Sequence, residues 1–330
     1  MDDVTLDGLG LIEPSHSAHP SAERSLLNAA EDATEDATMD AIEVLAPNLM
    51  DDMPELLGEM KAVVRELRVP RGWHYYMDLC WVARAIAPSQ GMQILDAGAG
   101  NGVMQWWLAS QGASVLSVDL QQRPHPGRRC LAWCNHSKRG EDESYGALSV
   151  RSFLPPKRVW SAVDWYEKIM TTASRLFPRQ PRFPGSVVYW DHDLSDLAEI
   201  ESDSMDAIVS ISALEHNDLA NLRGVIAELE RVLKPGGRMA ITVGGARDED
   251  WFHEPSRGWC FTEKTLAEYF GLDHYRTNFE RYDEILEELV GCDFLKDDLP
   301  EFYFDGGDNG MPWGRWDPSY QSIGILKTKR

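Results

Sequence analysis

The stretch ILDAGAGNG, residues 94–102, sets Asp96 ahead of three glycines at alternate positions, Gly98, Gly100 and Gly102. Glycine loses the most backbone entropy on folding, so three so close together imply that something approaches the backbone closely. The run SVLSVDL, residues 114–120, ends in Asp119, 23 residues after Asp96. An acid at that point is placed to accept both hydroxyls of a ribose. The dinucleotide fingerprint G-x-G-x-x-G needs a third glycine where this chain has Val103. Asp96 would also repel a pyrophosphate, whereas it suits an ammonium group. A cationic, phosphate-free adenosine ligand fits better, and S-adenosylmethionine is that ligand. A third cluster, Ser212-Ala-Leu-Glu215-His216, follows the run MDAIVSIS, and His216 there is placed to act as a general base. Glu215 and His216 could equally cap the helix that starts near Asp218.

These residues need elements that bring them to one edge. Apolar residues at helical spacing predict helices over 54–67, over 75–86 and from Asp218 to Leu233, the last closed by a KPGG turn. Short apolar runs at 92–97, 114–120, 187–190, 205–212, 238–243 and 322–327 predict strands. Strands alternating with helices predict an α/β chain with a mostly parallel, doubly wound sheet and helices on both faces. Ligands of such sheets bind outside the carboxyl ends of the strands, where the glycine loop and Asp119 both fall.

Charge divides the chain further. Of its net −22, residues 1–60 carry −14, from fifteen Asp/Glu against one Arg. Residues 1–50 lack aromatics and hold the acidic tract AAEDATEDATMDA, so they are expected to be a disordered tail, with a folded domain from 51 to 330. Residues 121–185 form a long basic insertion after the second strand, net +7 from twelve Lys/Arg and five Asp/Glu. No run of about eighteen apolar residues exists, so no membrane span is expected. Neither is a secretory signal, because no basic stretch precedes an apolar one. Five cysteines at irregular spacing argue for a reducing, cytoplasmic compartment.

With these motifs in order, the chain resembles the class I S-adenosylmethionine-dependent methyltransferases, in particular the small-molecule type 11 subgroup. The resemblance covers residues 73–245. ILDAGAGNG is similar to the family's glycine motif and Asp119 to its ribose-binding acid. DHDLSDL, residues 191–197, resembles the adenine-contact motif, and RVLKPGGRMAITV, residues 231–243, the helix–turn–fifth-strand signature. The resemblance implies a seven-stranded Rossmann-like sheet. Gly98, Gly100 and Gly102 would receive the methionine moiety, with Asp96 at its amino group. Asp193 would accept from the adenine amino group, with Asp191 as a rival, and the Leu194 N–H would face a ring nitrogen. Ser212 would line the site at the end of the fourth strand. Some relatives bind a metal on E-x-x-E-H; this chain has Ser212 at the first acid's position, so no metal is expected.

The acceptor is expected to be a small molecule, open to an anionic one, methylated by in-line displacement. The basic insertion, with Arg128, Arg129 and Arg158, would make a lid over such an acceptor or an ordinary surface loop. The loop 244–261 offers His253 and Arg257 as a second wall. Cys130 and Cys134, near His125 and His136, have a spacing open to zinc but read as packed thiols. DGGDNG, residues 305–310, lacks the EF-hand's ligand pattern and reads as a turn. DNA methylation is disfavoured: there is no N-P-P-Y, D-P-P-Y or Pro-Cys stretch, and the charge is strongly negative, which also speaks against RNA. The alternatives are a non-catalytic S-adenosylmethionine-binding partner protein and, against Val103, a nicotinamide-dependent oxidoreductase.

Overall fold

A computed structural model describes residues 39–69, 71–123, 126, 128–139, 180–297 and 315–330. Apart from Met39, these belong to one compact unit, Asp40–Arg330. Its centre is a single sheet. In chain order the strands are β1 (Ala41–Val44), β2 (Gln93–Ala97), β3 (Ser114–Asp119), β4 (Asn135–Lys138), β5 (Ser186–Asp191), β6 (Met205–Ile211), β7 (Leu233–Gly245), β8 (Trp251–His253), β9 (Gly258–Phe261), β10 (Arg276–Thr277) and β11 (Gln321–Thr328). Across the sheet they run β10-β1-β11-β7-β6-β2-β3-β5-β4, with β9 pairing beside the end of β7 and β8 on β9. From β7 to β4 every neighbouring pair is parallel, while β11 lies antiparallel to both β7 and β1. The expected doubly wound sheet is therefore present, and it is wider than seven strands.

Both faces are covered, as a parallel sheet requires. Adjacent residues Ile94 and Leu95 of β2 point to opposite sides and join two different apolar clusters. On one face pack α1 (Pro54–Leu67), α2 (Tyr75–Ile86), α3 (Met104–Ser110) and α4 (Arg128–Trp133), through residues such as Met60, Trp81, Trp106 and Trp133. On the other pack α5 (Leu219–Val232), α6 (Glu263–Phe270) and α7 (Tyr282–Val290), through Val225, Leu229, Phe270 and Ile285. Pro54 occupies the first turn of α1, and the helix ends where Arg68 turns left-handed at φ +56°.

Two expectations change. The composition places the acidic tail up to residue 50 and the folded domain from 51. Instead Ala41–Val44 is a strand paired with β11 over four positions, and Ala41, Ile42, Val44 and Leu45 are all buried. One helical turn, Leu49–Asp52, then leads into α1. Secondly, the KPGG segment does not stand apart as a turn. Strand β7 starts at Leu233, opposite Met205, and a register shift between Met205 and Ala207 absorbs the glycines. Arg158, His125 and the DGGDNG stretch lie outside the described residues.

Candidate active site

The carboxyl ends of β2, β3, β5 and β6 come together around a cavity of about 460 Å³. Asp96, Gly98, Gly100, Gly102, Asp119, Asp193, Leu194, Ser212 and His216 all line it. The glycine loop is built for close approach. Gly98 has φ +72°, and a Cβ there would lie 2.5 Å from the Cβ of Ala213. Gly100 has φ +50°. The loop is tied down from behind: the Gly98 and Ala99 N–H groups donate to the Val118 carbonyl at 2.9 and 3.1 Å. Gln105, fully buried at the start of α3, donates to the Gly102 carbonyl at 3.1 Å and accepts from the Ser117 hydroxyl at 2.8 Å.

Three carboxylates face this space in different states. Asp119 accepts the Gly100 N–H at 2.7 Å on Oδ2 and the Gln121 N–H at 2.8 Å on Oδ1. Each oxygen keeps a lone pair, enough for a pair of vicinal hydroxyls. Asp193 accepts both the Ser195 N–H and hydroxyl at 2.8 Å on Oδ1, which lowers its pKa and leaves Oδ2 to accept from a ligand. Asp96 is buried. Desolvation pushes its carboxyl up to about 7, against the opposing charge of Arg123. It is the group that a ligand cation would ionise. The rival Asp191 is committed elsewhere, to Lys138 at 2.7 Å and Arg123 at 3.2 Å, and does not line the cavity.

Ser212 ends β6 in a left-handed conformation, φ +45°, and donates to Glu215 Oε1 at 2.5 Å. Glu215 and His216 sit in a single 3₁₀ turn, Leu214–His216, while Asp218 caps α5 by accepting the Ala220 N–H. Capping therefore falls to Asp218, not to this pair. Glu215 is buried behind the cavity, outside its lining, and its Oε2 has no hydrogen-bond partner among the described residues. Burial pushes its carboxyl up, despite the neighbouring His216 and the Ser212 bond. His216 faces the cavity, and its Nδ1 lies 3.0 Å from the Arg257 carbonyl. If Nδ1 carries the proton it donates there, Nε2 is left with a lone pair. Gly258 makes room for that ring: a Cβ there would stand 3.2 Å from it.

Tyr75 and Arg71, from the start of α2 and the turn before it, line the same cavity. The Tyr75 phenol hydrogen-bonds with Ser212, and burial, reinforced by Glu215 and Asp78, raises its pKa, so it is a donor rather than a base. Below it, His74 Nδ1 meets Asp78 at 2.6 Å in a buried pair. Sequence reasoning placed Tyr75 only on an apolar stripe and passed over Arg71. It also passed over Leu120, exposed in the cavity wall, although its place beside Asp119 was a usable signal.

The expected substrate walls are arranged otherwise. His253 is buried and pairs its Nδ1 with the Ser256 hydroxyl at 2.7 Å, and Arg257 contributes its carbonyl while its side chain is exposed. Neither lines the cavity. Arg129 reaches the Glu66 carbonyl at the end of α1, at 3.3 Å, and so does not lie over the cavity; of Arg128 only the backbone, in α4, is described. Cys130 and Cys134 are buried, their thiols pushed up to about 12 by desolvation. Among the described residues no group of three or more His, Cys, Asp or Glu could hold a metal. No helix among them is long and apolar enough to cross a membrane.

Residues 147–241 match the family model described as a methyltransferase domain. That match runs from the insertion into β7 and stops short of the glycine loop on its amino-terminal side. A curated relative, the ubiquinone biosynthesis O-methyltransferase of Leptothrix cholodnii, is 34% identical over 47 residues, 14% of this chain. The chain spans about a fifth of that relative's length, 20%. Among solved structures, the chain is similar to the 1,6-didemethyltoxoflavin-N1-methyltransferase of Burkholderia thailandensis, with bound 1,6-didemethyltoxoflavin and S-adenosylhomocysteine. Identity there is 14%, coverage 97% of this chain and 93% of that one, and the TM-score 0.40. It is also similar to phosphoethanolamine N-methyltransferase 2 of Haemonchus contortus in complex with S-adenosyl-L-methionine. That pair shares 17% identity over 85% of this chain and 60% of the other, with a TM-score of 0.44.

Proposed function

We propose that the chain is a class I S-adenosylmethionine-dependent methyltransferase that moves a methyl group to a small-molecule acceptor bound beside His216. The observation that carries this reading is the convergence, around one cavity, of the glycine loop, Asp96, Asp119, Asp193 and His216. The residues fit the cofactor. Gly100 leaves open surface that a side chain would fill, Gly98 lets the loop pack against Ala213, Asp96 suits an ammonium group, and Asp119 suits a ribose. Asp193 and Leu194 would hold the adenine, with Leu120 as an apolar wall.

The cofactor supplies a methyl group already activated on a sulfonium, so the protein's task is alignment. Holding an acceptor in line is worth as much as about 7–11 kcal/mol. His216 Nε2 would take the proton of a hydroxyl or amine acceptor, with Nδ1 held by the Arg257 carbonyl. Tyr75 and Arg71, at the same cavity, would orient the acceptor, and an anionic group on it would suit Arg71. Glu215, behind His216, would stabilise the charged imidazole rather than touch the acceptor. A cytoplasmic setting is supported by five free cysteines.

The test is release of labelled methyl from S-adenosylmethionine across a panel of small hydroxy, amino and carboxylic acids. With an acceptor found, His216→Ala is expected to lower kcat at least tenfold while cofactor affinity stays within twofold. Turnover intact in that variant would remove the histidine from the chemistry. Cofactor binding with no methyl transfer to any acceptor would favour a non-catalytic binding protein.

A further inference from the structure

Arg123 begins the basic segment after β3, yet it is 2% exposed. Every nitrogen of its guanidinium is engaged. Nη1 donates to the Gly100 carbonyl at 3.1 Å and the Ser117 hydroxyl at 2.6 Å. Nη2 donates to the Ser117 and Trp190 carbonyls at 2.7 and 3.2 Å. Nε donates to Asp191 Oδ1 at 3.2 Å, and the group lies 4.2 Å from the centroid of the Tyr189 ring. One buried cation thus touches the glycine loop, β3 and β5 together. Its one carboxylate partner among the described residues, Asp191, is shared with Lys138.

A buried guanidinium needs compensating charge, and its fork fixes whatever it holds. The carbonyl it holds in the loop belongs to Gly100, the residue whose N–H points at Asp119. Ser117, which it grips through both hydroxyl and carbonyl, stands opposite Asp96 in the β2–β3 register, so the charge is set beside that carboxyl. Among the described residues, the charged and titratable groups facing Asp96 are Arg123, Asp119 of β3 and Tyr189 of β5.

We propose that Arg123 is a positioning residue of the cofactor site, which aims the Gly100 N–H at the ribose-binding carboxylate and supplies a buried positive charge that favours the carboxylate form of Asp96 facing a ligand ammonium. This rests on the reading of the cavity as an S-adenosylmethionine site. It assigns two separable jobs to one side chain. The fork geometry serves loop shape, which any adenosine ligand reads. The charge serves Asp96, which only a ligand with an ammonium reads.

The experiment is calorimetric titration of the full chain with S-adenosylhomocysteine and with adenosine, from pH 5.5 to 8.5. The proteins are wild type, Arg123→Lys, Arg123→Met and Asp96→Asn. In wild type, S-adenosylhomocysteine affinity is expected to fall below about pH 7, while adenosine affinity stays flat. Arg123→Met should move that midpoint up by about one pH unit or more. Arg123→Lys should keep the midpoint and weaken both ligands alike, about fivefold or more, since charge remains and the fork is lost. Asp96→Asn should abolish the pH dependence.

Arg123→Met with wild-type midpoint and affinities would overturn the proposal. Should that variant fail to fold, Arg123→Lys identical to wild type for both ligands would overturn it equally. A wild type that binds neither ligand would bring down the cofactor reading instead. The Asp96 titration, followed by carbon-13 NMR in the free wild type and Arg123→Met, would still decide the charge assignment.

Discussion

At the residue scale, the site depends on backbone that only glycine adopts without strain. Gly98 combines a positive φ with a Cβ position already filled by Ala213. A left-handed non-glycine residue costs about 1–2 kcal/mol before any clash. Gly98→Ala should therefore weaken S-adenosylhomocysteine binding at least tenfold and lower the melting temperature. Gly102, whose φ is not positive and whose nearest obstacle is the Ala99 carbonyl at 3.0 Å, should tolerate alanine better. Calorimetry on the two variants checks the ranking; equal losses would contradict it. Asp96 gives a second prediction. Its carboxyl is raised in the folded protein to about 7, above its ordinary 3.8. Its contribution to stability is thus present below about pH 4 and lost as pH rises through about 7. A ligand ammonium favours the ionised form, so binding near pH 6 should release a proton. Titration in two buffers of different ionisation enthalpy measures this, and a buffer-independent enthalpy would contradict it. Asp96, the glycines and Asp119 were legible because they fall within 24 residues on two strand ends. Arg123 was not, because within a segment of net +7 an inward-turned arginine has no mark to separate it from solvated ones.

At the element scale, β1 is the part that the sequence concealed. AIEVL is a short apolar run at the end of an acidic, low-complexity stretch, and its partner β11 lies about 280 residues away. Local pattern cannot report pairing of that kind. Its removal should be costly. Ala41, Ile42, Val44 and Leu45 are buried, and the three larger ones are each worth about 1.5–3 kcal/mol as an upper figure. That total approaches the whole margin of about 5–15 kcal/mol that typical domains possess. A chain lacking residues 1–46 should melt at least 10 °C lower or fail to fold, whereas one lacking residues 1–38 should melt like the full chain. Thermal melts of the two truncations decide it, and similar curves would place β1 outside the cooperative unit. The helices were easier to read, since α1, α2 and α5 carry their apolar residues at helical spacing on one face.

At the scale of the whole molecule, one sheet carries both apolar layers, and the cavity opens where its parallel strands end. Fold class and cofactor side follow from that arrangement, and both were legible from strand–helix alternation and the glycine loop. The proposed acceptor side was legible only at His216, because its other members, Arg71 and Tyr75, come from before and within α2, far along the chain from β6. The overall negative charge, −22, gives no general attraction to an anionic acceptor, so capture must depend on local cations such as Arg71. Arg71→Met should accordingly raise KM for an anionic acceptor more than it lowers kcat, by about tenfold, as steady-state kinetics would read. Unchanged KM would show that Arg71 serves another purpose.

On the proposed reading, the glycine loop and Asp119 hold an adenosine cofactor bearing an ammonium rather than a dinucleotide. Calorimetric titration of the full chain and of Asp119→Ala with S-adenosylmethionine, S-adenosylhomocysteine and NAD tests it most directly. Micromolar binding of the first two by the full chain, at least tenfold weaker in Asp119→Ala, with no heat from NAD, is the result expected. Binding of NAD alone, or cofactor affinity untouched by the loss of Asp119, would contradict it.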